Sequence, residues 1–459
     1  MRGLTTSAPP PIDLVELAKS DPAAVLELVA VELPASTGRD RVHLLRAAGV
    51  AHRELQQLGQ SAASLELAAE VAADTGDRRL GALVQVSLAA TTLYRGDTTA
   101  AMTLIDAAID DLDGVDRFVA LGQRAGILHR AGRLADALAA FAAVFAEPYA
   151  TIPSSSLAEA HNNRGVMLGY SGEFAEAERD IAAAHHIYVA LGQAKSAADM
   201  IHNRAWVAGR RGDLARSLQL FDQALAEYER LNVPVDAVLP DRCEVLIEAG
   251  LLDEASELAE AASIAFAARG DLADQAESLV LVAQIALMQQ RWERAVSAAG
   301  EAATMLERSG RAGWAQHAEA LRLEAGLGLG VPGDVSAGEL TSLRAGLESA
   351  GLDAARDDFD LLRARRALAV GDVDGAAAVL WALKVTSLPG HTRPAARALR
   401  AEVFAARRDL PAARRELRRG LAELDAVRQS IGSSELRASI GFHADDVLTV
   451  GQRLALASG

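Results

Sequence analysis

Apolar residues recur along most of this chain at positions i, i+3, i+4 and i+7, which places them on one face of an α-helix. The amphipathic stretches are each roughly 14–18 residues long, which is typical of helices in globular proteins. No segment alternates apolar and polar residues with period two over a useful length, so we expect no β-sheet. The pattern therefore predicts an all-α protein.

Helix-ending residues divide these stretches into pairs. Glycine readily adopts the left-handed conformation that ends a helix, and asparagine does so less often. We expect the first helix of each pair to end at Gly59, Gly96, Gly132, Gly172, Gly212, Gly250 and Gly371. We expect the second helix to end at Gly76, Gly114, Gly192, Gly270, Gly310, Gly351, Gly390 and Gly432, with Pro148 and Asn232 at the two remaining boundaries. Aspartate then follows five of the glycines and can cap the next helix, at Asp77, Asp97, Asp213, Asp271 and Asp372.

The chain is thus predicted to repeat helix, tight turn, helix and looser turn about ten times between residues 40 and 430. In chain order, the predicted segments are a disordered, proline-rich N-terminus (1–11), N-terminal capping helices (12–39), repeats 1–8 (40–330), further repeats (331–432) and a C-terminal capping or bridging helix (433–459). We expect Asp21-Pro22 to begin a capping helix, and Ser433 or Ser434 to begin the last one. The sequence GLGLGVPGDVSAGEL interrupts the rhythm and indicates either a hinge or a lengthened loop.

The charge balance excludes one large class of partner. A net charge of −16 argues against a general nucleic-acid binder, since phosphate contacts need a basic face. Residues 391–430 nevertheless hold ten arginines against five acidic residues, which indicates a docking surface or, more simply, a solvated helix face. Only three of the 46 basic residues are lysines, a bias that indicates a GC-rich genome.

Cysteine usage and hydropathy bear on location. The single cysteine, Cys243, excludes internal disulfides and fits a reducing compartment. The first residues carry no recognisable secretory signal, and no apolar run approaches the roughly 18–20 residues needed to cross a bilayer. We expect a cytoplasmic protein that does not enter a membrane.

Several repeats resemble the tetratricopeptide repeat (TPR). That family places a small residue seven positions before the turn glycine, a large apolar residue two after it and an alanine five after it. Gly165, Gly172, Phe174 and Ala177 match this pattern. Three further repeats match it at Ala125-Gly132-Leu134-Ala137, at Ala205-Gly212-Leu214 with Ser217 in the last place, and at Cys243-Gly250-Leu252-Ala255. The resemblance implies a right-handed α–α superhelix, and it indicates function poorly because one fold serves many functions.

A narrower resemblance concerns HNNRGVMLGYSGEFAEAE (161–178), DRCEVL (241–246) and the segment 417–459, which look like actinobacterial CHAT proteins. These proteins carry a TPR array followed by a caspase-like cysteine peptidase domain. The resemblance implies a protease partner in cis or in trans. The peptidase sequence is absent here, so we expect either a separate subunit or a shortened chain.

One polar step recurs in four successive repeats, as Gln123-Arg124, Asn163-Arg164, Asn203-Arg204 and Asp241-Arg242. In the TPR geometry, the first residue of each step is expected to face a concave groove. An amide there can donate to and accept from the backbone of an extended peptide. The alternative is that these side chains bond adjacent repeats and stabilise the stack.

Aromatic and basic neighbours extend this hypothesis to an acidic or C-terminal peptide. The full set of predicted groove residues is Gln123, Arg124, Arg130, Asn162, Asn163, Arg164, Tyr170, His202, Asn203, Arg204, Trp206, Arg210, Asp241 and Arg242. His161 and His202 hold near-equivalent places in successive repeats, so a pH-sensitive contact between them is one hypothesis and ordinary groove histidines are the simpler one.

Catalytic and cofactor chemistry is poorly supported. Cys243 falls at the small packing position, where a thiol is expected to be buried and inert. The histidines match no zinc spacing, and the letters GxGxxG at 328–333 follow no predicted strand, so we expect no metal, nucleotide or other cofactor. The sequence therefore predicts a non-catalytic, peptide- or protein-binding TPR scaffold, as the sensor arm of a CHAT-type protease system. The alternative is a ligand-sensing TPR module related to bacterial transcription regulators.

Overall fold

The computed structural model describes residues 13–55, 57–146, 152–233, 235, 238–309, 311–329, 337–388, 392–430 and 445–456. The chain divides into two compact units, unit 1 (Met1–Gln193) and unit 2 (Ala194–Gly459). The predicted disorder of residues 1–11 and the predicted helix start at Ser433 or Ser434 lie outside the described residues. So do the predicted boundaries at Pro148, Gly310, Gly390 and Gly432.

Unit 1 consists of two leading helices and four antiparallel pairs, α3/α4, α5/α6, α7/α8 and α9/α10. Its helices are α1 (Leu14–Ser20), α2 (Pro22–Glu32), α3 (Gly38–Glu54), α4 (Leu58–Thr75), α5 (Arg78–Tyr94), α6 (Thr98–Ile109), α7 (Gly114–Arg130), α8 (Leu134–Val144), α9 (Ser154–Ser171) and α10 (Phe174–Ala190). A short 3-10 turn, Leu33–Ala35, follows α2.

Unit 2 consists of six pairs, from α11/α12 to α21/α22, and one further helix, α23. Its helices are α11 (Ala194–Arg210), α12 (Leu214–Arg230), α13 (Leu239–Glu248), α14 (Leu252–Arg269), α15 (Leu272–Met288), α16 (Trp292–Arg308), α17 (Ala312–Gly328), α18 (Ala337–Ser349), α19 (Asp353–Ala369), α20 (Val373–Ala382), α21 (Arg393–Ala406), α22 (Leu410–Ser430) and α23 (Asp445–Leu456). A 3-10 turn, Val385–Ser387, follows α20.

The described residues confirm the predicted all-α class. They contain ten helix pairs and no strand, as the hydrophobic period indicates. Among them, no helix is both long and apolar enough to span a bilayer.

Turn residues adopt left-handed conformations at most of the predicted boundaries, including Asn232 at φ 54°. Gly59 is an exception, because it lies inside α4 and ends no helix, so that prediction is wrong. In two turns that lack glycine, Gln290 and Arg408 adopt φ 57° and 62°. The repeat geometry thus imposes this conformation on residues that rarely favour it.

Aspartates cap four of the five helices for which the sequence predicts it. The side chains of Asp77, Asp97, Asp213 and Asp372 accept a hydrogen bond from a backbone N–H in the first turn of the next helix. Asp271 precedes α15 without such a bond. The predicted cap at Asp21 is confirmed, since its carboxylate accepts from the backbone N–H of Ala24 at 3.1 Å.

A small residue near the middle of each first helix allows its partner helix to approach closely. A Cβ atom added at Gly165 of α9 would lie 2.7 Å from Cγ1 of Ile181 on α10. In α13 the equivalent residue is Cys243, whose Sγ lies 3.4 Å from the backbone carbonyl of Ala255. We call this small residue the packing residue, and in α3 and α9 it faces the residue sixteen positions later on the second helix, Leu65 and Ile181.

Within unit 2, the last pair reaches the first. Leu424, near the end of the long helix α22, is buried in the same apolar cluster as Phe221 of α12 and Val245 of α13. The contact adds a long-range link to a stack whose other helices pack mainly on their immediate neighbours.

Candidate functional site

The first helices of the pairs carry a repeated stripe of side chains. We define the stripe as the residues two before, one after and five after each packing residue. In α9 these residues are Asn163, Val166 and Tyr170. Asn163 is exposed, and Tyr170 keeps 46% of its surface exposed, so both are accessible to a ligand. Asn162, beside the stripe, is half-buried.

The stripe residues near the helix ends of unit 1 form an aromatic and basic row. The guanidinium of Arg130 on α7 lies 5.2 Å from the ring centre of Tyr94 on α5. The rings of His129 and Tyr170 are also 5.2 Å apart. Tyr94 is 47% exposed. Stacking of a cation on an exposed ring leaves both groups able to contact a ligand.

Gln123 connects two first helices. Its side-chain nitrogen donates to the backbone carbonyl of Val86 on α5 at 2.9 Å. The residue is half-buried. Its amide therefore stabilises the stack, as the alternative interpretation of the polar step expects.

Three of the four step arginines, Arg124, Arg164 and Arg242, pair with a carboxylate on a second helix. Arg124 pairs with Asp106 of α6 at 2.6 Å. Arg164 binds the carboxylate of Asp180 on α10 through two nitrogens, at 2.5 and 2.7 Å, and its guanidinium lies 3.8 Å from the ring centre of Phe145. These arginines lie between helices, because successive residues of a helix diverge by about 100°.

A second donor completes the contacts of Asp180. The Nδ1 atom of His161 lies 2.9 Å from its Oδ1 atom, and the carboxylate is buried. Burial alone raises the pKa of Asp180, but hydrogen bonds from Arg164 and His161 and the charge of Arg164 together hold this pKa below its ordinary value. His161 is thus engaged with Asp180.

The stripe of α11 in unit 2 consists of Asn203, Trp206 and Arg210. Asn203 and Trp206 are half-buried, and Arg210 is exposed. The guanidinium of Arg210 lies 5.7 Å from the centre of the Trp206 ring. The stripe of α11 thus combines an amide, an aromatic ring and an arginine, whereas α7 contributes only an amide and an arginine and α9 only an amide and an aromatic ring.

Three of the remaining predicted residues of unit 2, His202, Asp241 and Arg242, make contacts between helices. Nε2 of His202 is 2.7 Å from the carboxylate of Asp241 on α13. Arg242 pairs with Asp222 of α12 at 2.8 Å. Arg204 is half-buried on α11. His161 and His202 each have an acidic partner within their own unit, and the predicted contact between the two histidines stays a prediction.

Burial strongly shifts the pKa values of Cys243 and His317 in unit 2. Burial, with a smaller effect of Glu244, raises the pKa of Cys243 to about 12. Burial lowers the pKa of His317 on α17 to about 4. A thiol in this state is a poor nucleophile. Within the described residues, no group of three potential metal ligands comes together.

Sequence reasoning missed Tyr94, His129 and Asp180. A signal for Tyr94 was available, because the residue two before the turn glycine alternates as Tyr94, Arg130, Tyr170 and Arg210. Asp180 carries no comparable signal, since Leu220 takes its register position in the next pair.

Terminal helices cover the stripe in other pairs. In α3 the equivalents of Asn163 and Val166 are Ala47 and Val50, which are buried in an apolar cluster with Ala18 of α1. Arg46, beside them, interacts electrostatically with Asp13 at the start of α1. At the other end of the chain, α23 covers the stripe of α19 and α21.

Comparison with known proteins addresses the fold. No protein-family model and no curated protein matches the chain. A Rap protein solved in complex with Competence and Sporulation Factor aligns over 88% of this chain and 99% of the Rap chain, with TM-score 0.54 and 13% identity. The apo form of RapI aligns over 74% of this chain and 95% of its own, with TM-score 0.51 and 13% identity. A tetratricopeptide repeat protein from Parabacteroides merdae covers 62% of this chain at 17% identity, with TM-score 0.43.

The chain is a TPR-like repeat array. The ten pairs, the packing residues and the likeness to Rap and RapI agree on this fold. The CHAT resemblance has no counterpart among these structures. Identity this low shows the fold alone, so function has to be argued from the site.

Proposed function

We propose that the chain is a non-catalytic scaffold that captures a peptide segment of a partner on the stripe of its first helices. The observation that carries this proposal is the exposed set Asn163, Tyr170, Arg130 and Tyr94 in unit 1. An asparagine amide can pair with an extended backbone whatever its side chains are. We place this function in the cytoplasm, since the lone Cys243 fits a reducing compartment.

The chemistry of the row favours a ligand with an acidic or C-terminal carboxylate. Arg130 stacks on Tyr94, and it has no acidic partner within the described residues, whereas most arginines of unit 1 pair with a carboxylate. A guanidinium on an aromatic face remains able to bind a carboxylate through two nitrogens. Tyr170 offers a further aromatic face to an apolar side chain of the ligand.

Unit 2 offers a second, separate stripe at Asn203, Trp206 and Arg210. The Rap structure with its bound factor supports, by analogy, ligand capture by this fold. The proposal treats the two stripes independently, and each is tested by its own variant.

The test uses a display library of random 12-residue peptides, selected on the intact chain. Affinities of the selected peptides are then measured by fluorescence anisotropy. Asn163→Ala should lower the affinity for peptides that bind unit 1 at least about tenfold, which corresponds to about 1.4 kcal/mol of binding free energy. Asn203→Ala should do the same for peptides that bind unit 2. Arg179→Ala, on the exposed face of α10, is the control and should change neither affinity. Unchanged binding by both asparagine variants would remove the stripe from the proposal.

A finer proposal makes this chain the sensor and recruitment arm of a CHAT-type protease system. It is supported by the sequence resemblance of 161–178, 241–246 and 417–459. Its test is whether a purified CHAT peptidase domain binds the chain and cleaves only when a selected peptide is present. The alternative, a ligand-sensing module related to bacterial transcription regulators, predicts instead a stable complex with a DNA-binding protein.

A further inference from the structure

Helix α23 lies on stripe positions that pairs such as α9/α10 leave open. Arg365 and Ala369 of α19, and Leu399 and Glu402 of α21, are stripe residues by register with their packing residues Ala364 and Ala401. These stripe residues line a cavity of about 310 Å³. Its opposite wall consists of α23 residues Asp446, Thr449, Val450 and Arg453. The stripe of these pairs therefore already binds a helical segment.

Two ion pairs orient α23. At its N-terminal end, Asp446 lies 3.3 Å from the guanidinium of Arg365, which also contacts Glu324 of α17 at 3.3 Å. At its C-terminal end, Arg453 pairs with Glu402 of α21. Each charged end of α23 thus lies against a residue of opposite charge on α19 or α21.

An apolar strip between these ion pairs completes the contact. Val447 and Val450 are buried in a cluster with Ala401 of α21 and Leu417 of α22. Leu454 packs against the same cluster. Residues 447, 450 and 454 follow helical spacing, which is how an amphipathic helix binds in a groove.

The attachment of α23 is weak. Two cavities, of about 310 and 360 Å³, lie between α23 and the helices α19 and α21, so α23 lacks packing partners there. Both ion pairs are solvent-accessible, and such pairs contribute at most about 1 kcal/mol each. Elements with few buried contacts open locally far more often than the whole protein unfolds.

We propose that the stripe of α19 and α21 is a docking surface for an amphipathic helix of a partner protein, and that α23 occupies it until that helix displaces it. The partner helix carries the pattern of α23: an acidic residue, apolar residues one, four and eight positions later, and an arginine seven positions later. This proposal does not depend on the peptide-binding role of Asn163 or Asn203, because its residues and its ligand pattern are different.

Competition sets the expected affinities. A helix tethered to its own site competes at an effective concentration in the millimolar range. Only molecules with α23 detached can bind an added helix, so the apparent affinity of the intact chain equals the intrinsic affinity multiplied by the detached fraction. Substitutions that detach α23 without touching α19 or α21 should remove this reduction.

The test uses the full chain and a fluorescein-labelled peptide with the sequence of residues 445–456. Val447→Asp combined with Val450→Asp should detach α23 and tighten peptide binding at least about tenfold, measured by anisotropy. Leu448→Asp is the matched control, because Leu448 is 49% exposed on α23 and its change should leave binding as it is. Equal binding by the unmodified chain and the double variant would overturn the proposal.

Charge exchange tests the surface itself. In the double variant, Glu402→Arg should lower the affinity for the peptide about tenfold. A peptide that carries Arg453→Glu should recover the lost affinity. Failure of the exchanged peptide to recover binding would also overturn the proposal. Hydrogen exchange on the unmodified chain provides a readout without substitutions: amides of α23 should exchange at least about tenfold faster than those of α21. Equal protection of the two helices would contradict a detachable α23.

Discussion

Asp180 in unit 1 and His317 in unit 2 are buried ionisable groups with different surroundings. In unit 1 the buried carboxylate of Asp180 is paired with Arg164 and His161. In unit 2 Leu220 takes the register position of Asp180, and buried His317 has no hydrogen-bond partner at Nδ1 in the described structure. The difference teaches that the repeat accepts a buried charge only with its partners, and otherwise holds the neutral form.

The paired carboxylate of Asp180 and the buried His317 should respond differently to acid. A carboxylate with a lowered pKa contributes stability that is present above its ordinary pKa of 3.8 and is lost as the pH falls below it. A histidine whose pKa is lowered in the folded protein binds fewer protons there than in the unfolded chain. Its contribution to stability is therefore fully present above pH 6.5, and stability falls as the pH drops toward about 4. If these two groups are considered alone, unit 2 should begin to lose stability at a higher pH than unit 1 as the solution is acidified.

Natural probes allow the units to be followed separately. All four tryptophans lie in unit 2, at Trp206, Trp292, Trp314 and Trp381, and so does Cys243. Tryptophan fluorescence and thiol labelling therefore report on unit 2 alone, whereas circular dichroism reports on both units.

The largest expected effect is on thiol labelling. The shift in the pKa of Cys243 from 9.0 to about 12 lowers its thiolate fraction about 1000-fold. Native protein at pH 7.5 should therefore react with a thiol reagent at least about 1000-fold more slowly than urea-unfolded protein. Labelling of native protein at the rate of an exposed thiol would contradict the buried position and reopen the question of a reactive cysteine.

Asp180→Asn should destabilise unit 1 by about 3 kcal/mol, because it leaves Arg164 without its carboxylate in a partly buried place. The measurement is urea unfolding at pH 7.5 followed by circular dichroism, with tryptophan fluorescence expected to stay unchanged. Asp222→Asn is the matched control in unit 2. Its side chain is 64% exposed beside Arg242, so the loss should stay below about 1 kcal/mol. Similar losses for both variants would remove the distinction between the two pairs.

His317→Leu should reduce the acid sensitivity of unit 2. Between pH 7.5 and 5 the unmodified protein should lose about 2 kcal/mol through this histidine, since each pKa unit corresponds to about 1.4 kcal/mol. Glu324 acts in the opposite direction, because burial raises its pKa although Arg365 counteracts this. The difference between variant and unmodified protein isolates His317, and equal pH slopes in fluorescence-detected unfolding would contradict its assignment.

The smallest effect concerns the turns. Gln290→Gly should stabilise unit 2 by up to about 1 kcal/mol, since glycine adopts φ 57° without steric cost. Gly132→Ala in unit 1 should have the opposite sign, because Gly132 adopts φ 74°. Thermal unfolding by circular dichroism checks both, and a destabilising glycine at 290 would show that its side chain matters more than its backbone.

The sequence was sufficient for the fold because its signals are local. Helical periodicity, the turn glycines and the packing residues each act within one pair, and they predicted ten pairs correctly. The turns at Gln290 and Arg408 carry no such signal, since neighbouring repeats impose their conformation.

The candidate site was less predictable because it depends on contacts between pairs. The polar step gave no indication that its two residues would have different environments. Asn163 is exposed, whereas Arg164 is bound to Asp180. The covering of stripe residues by α1 and α23 also involves helices that lie outside the covered pair.

The burial of Leu424 among residues of α12 and α13 has a mechanical consequence for unit 2. A linear array pulled from its two ends can peel apart pair by pair, because each pair contacts only its neighbours. In unit 2 the last pair touches the first ones, so force applied at Ala194 and Ser430 must first break this contact. Under tension unit 2 should therefore resist as a closed loop before it extends as a chain of separate pairs.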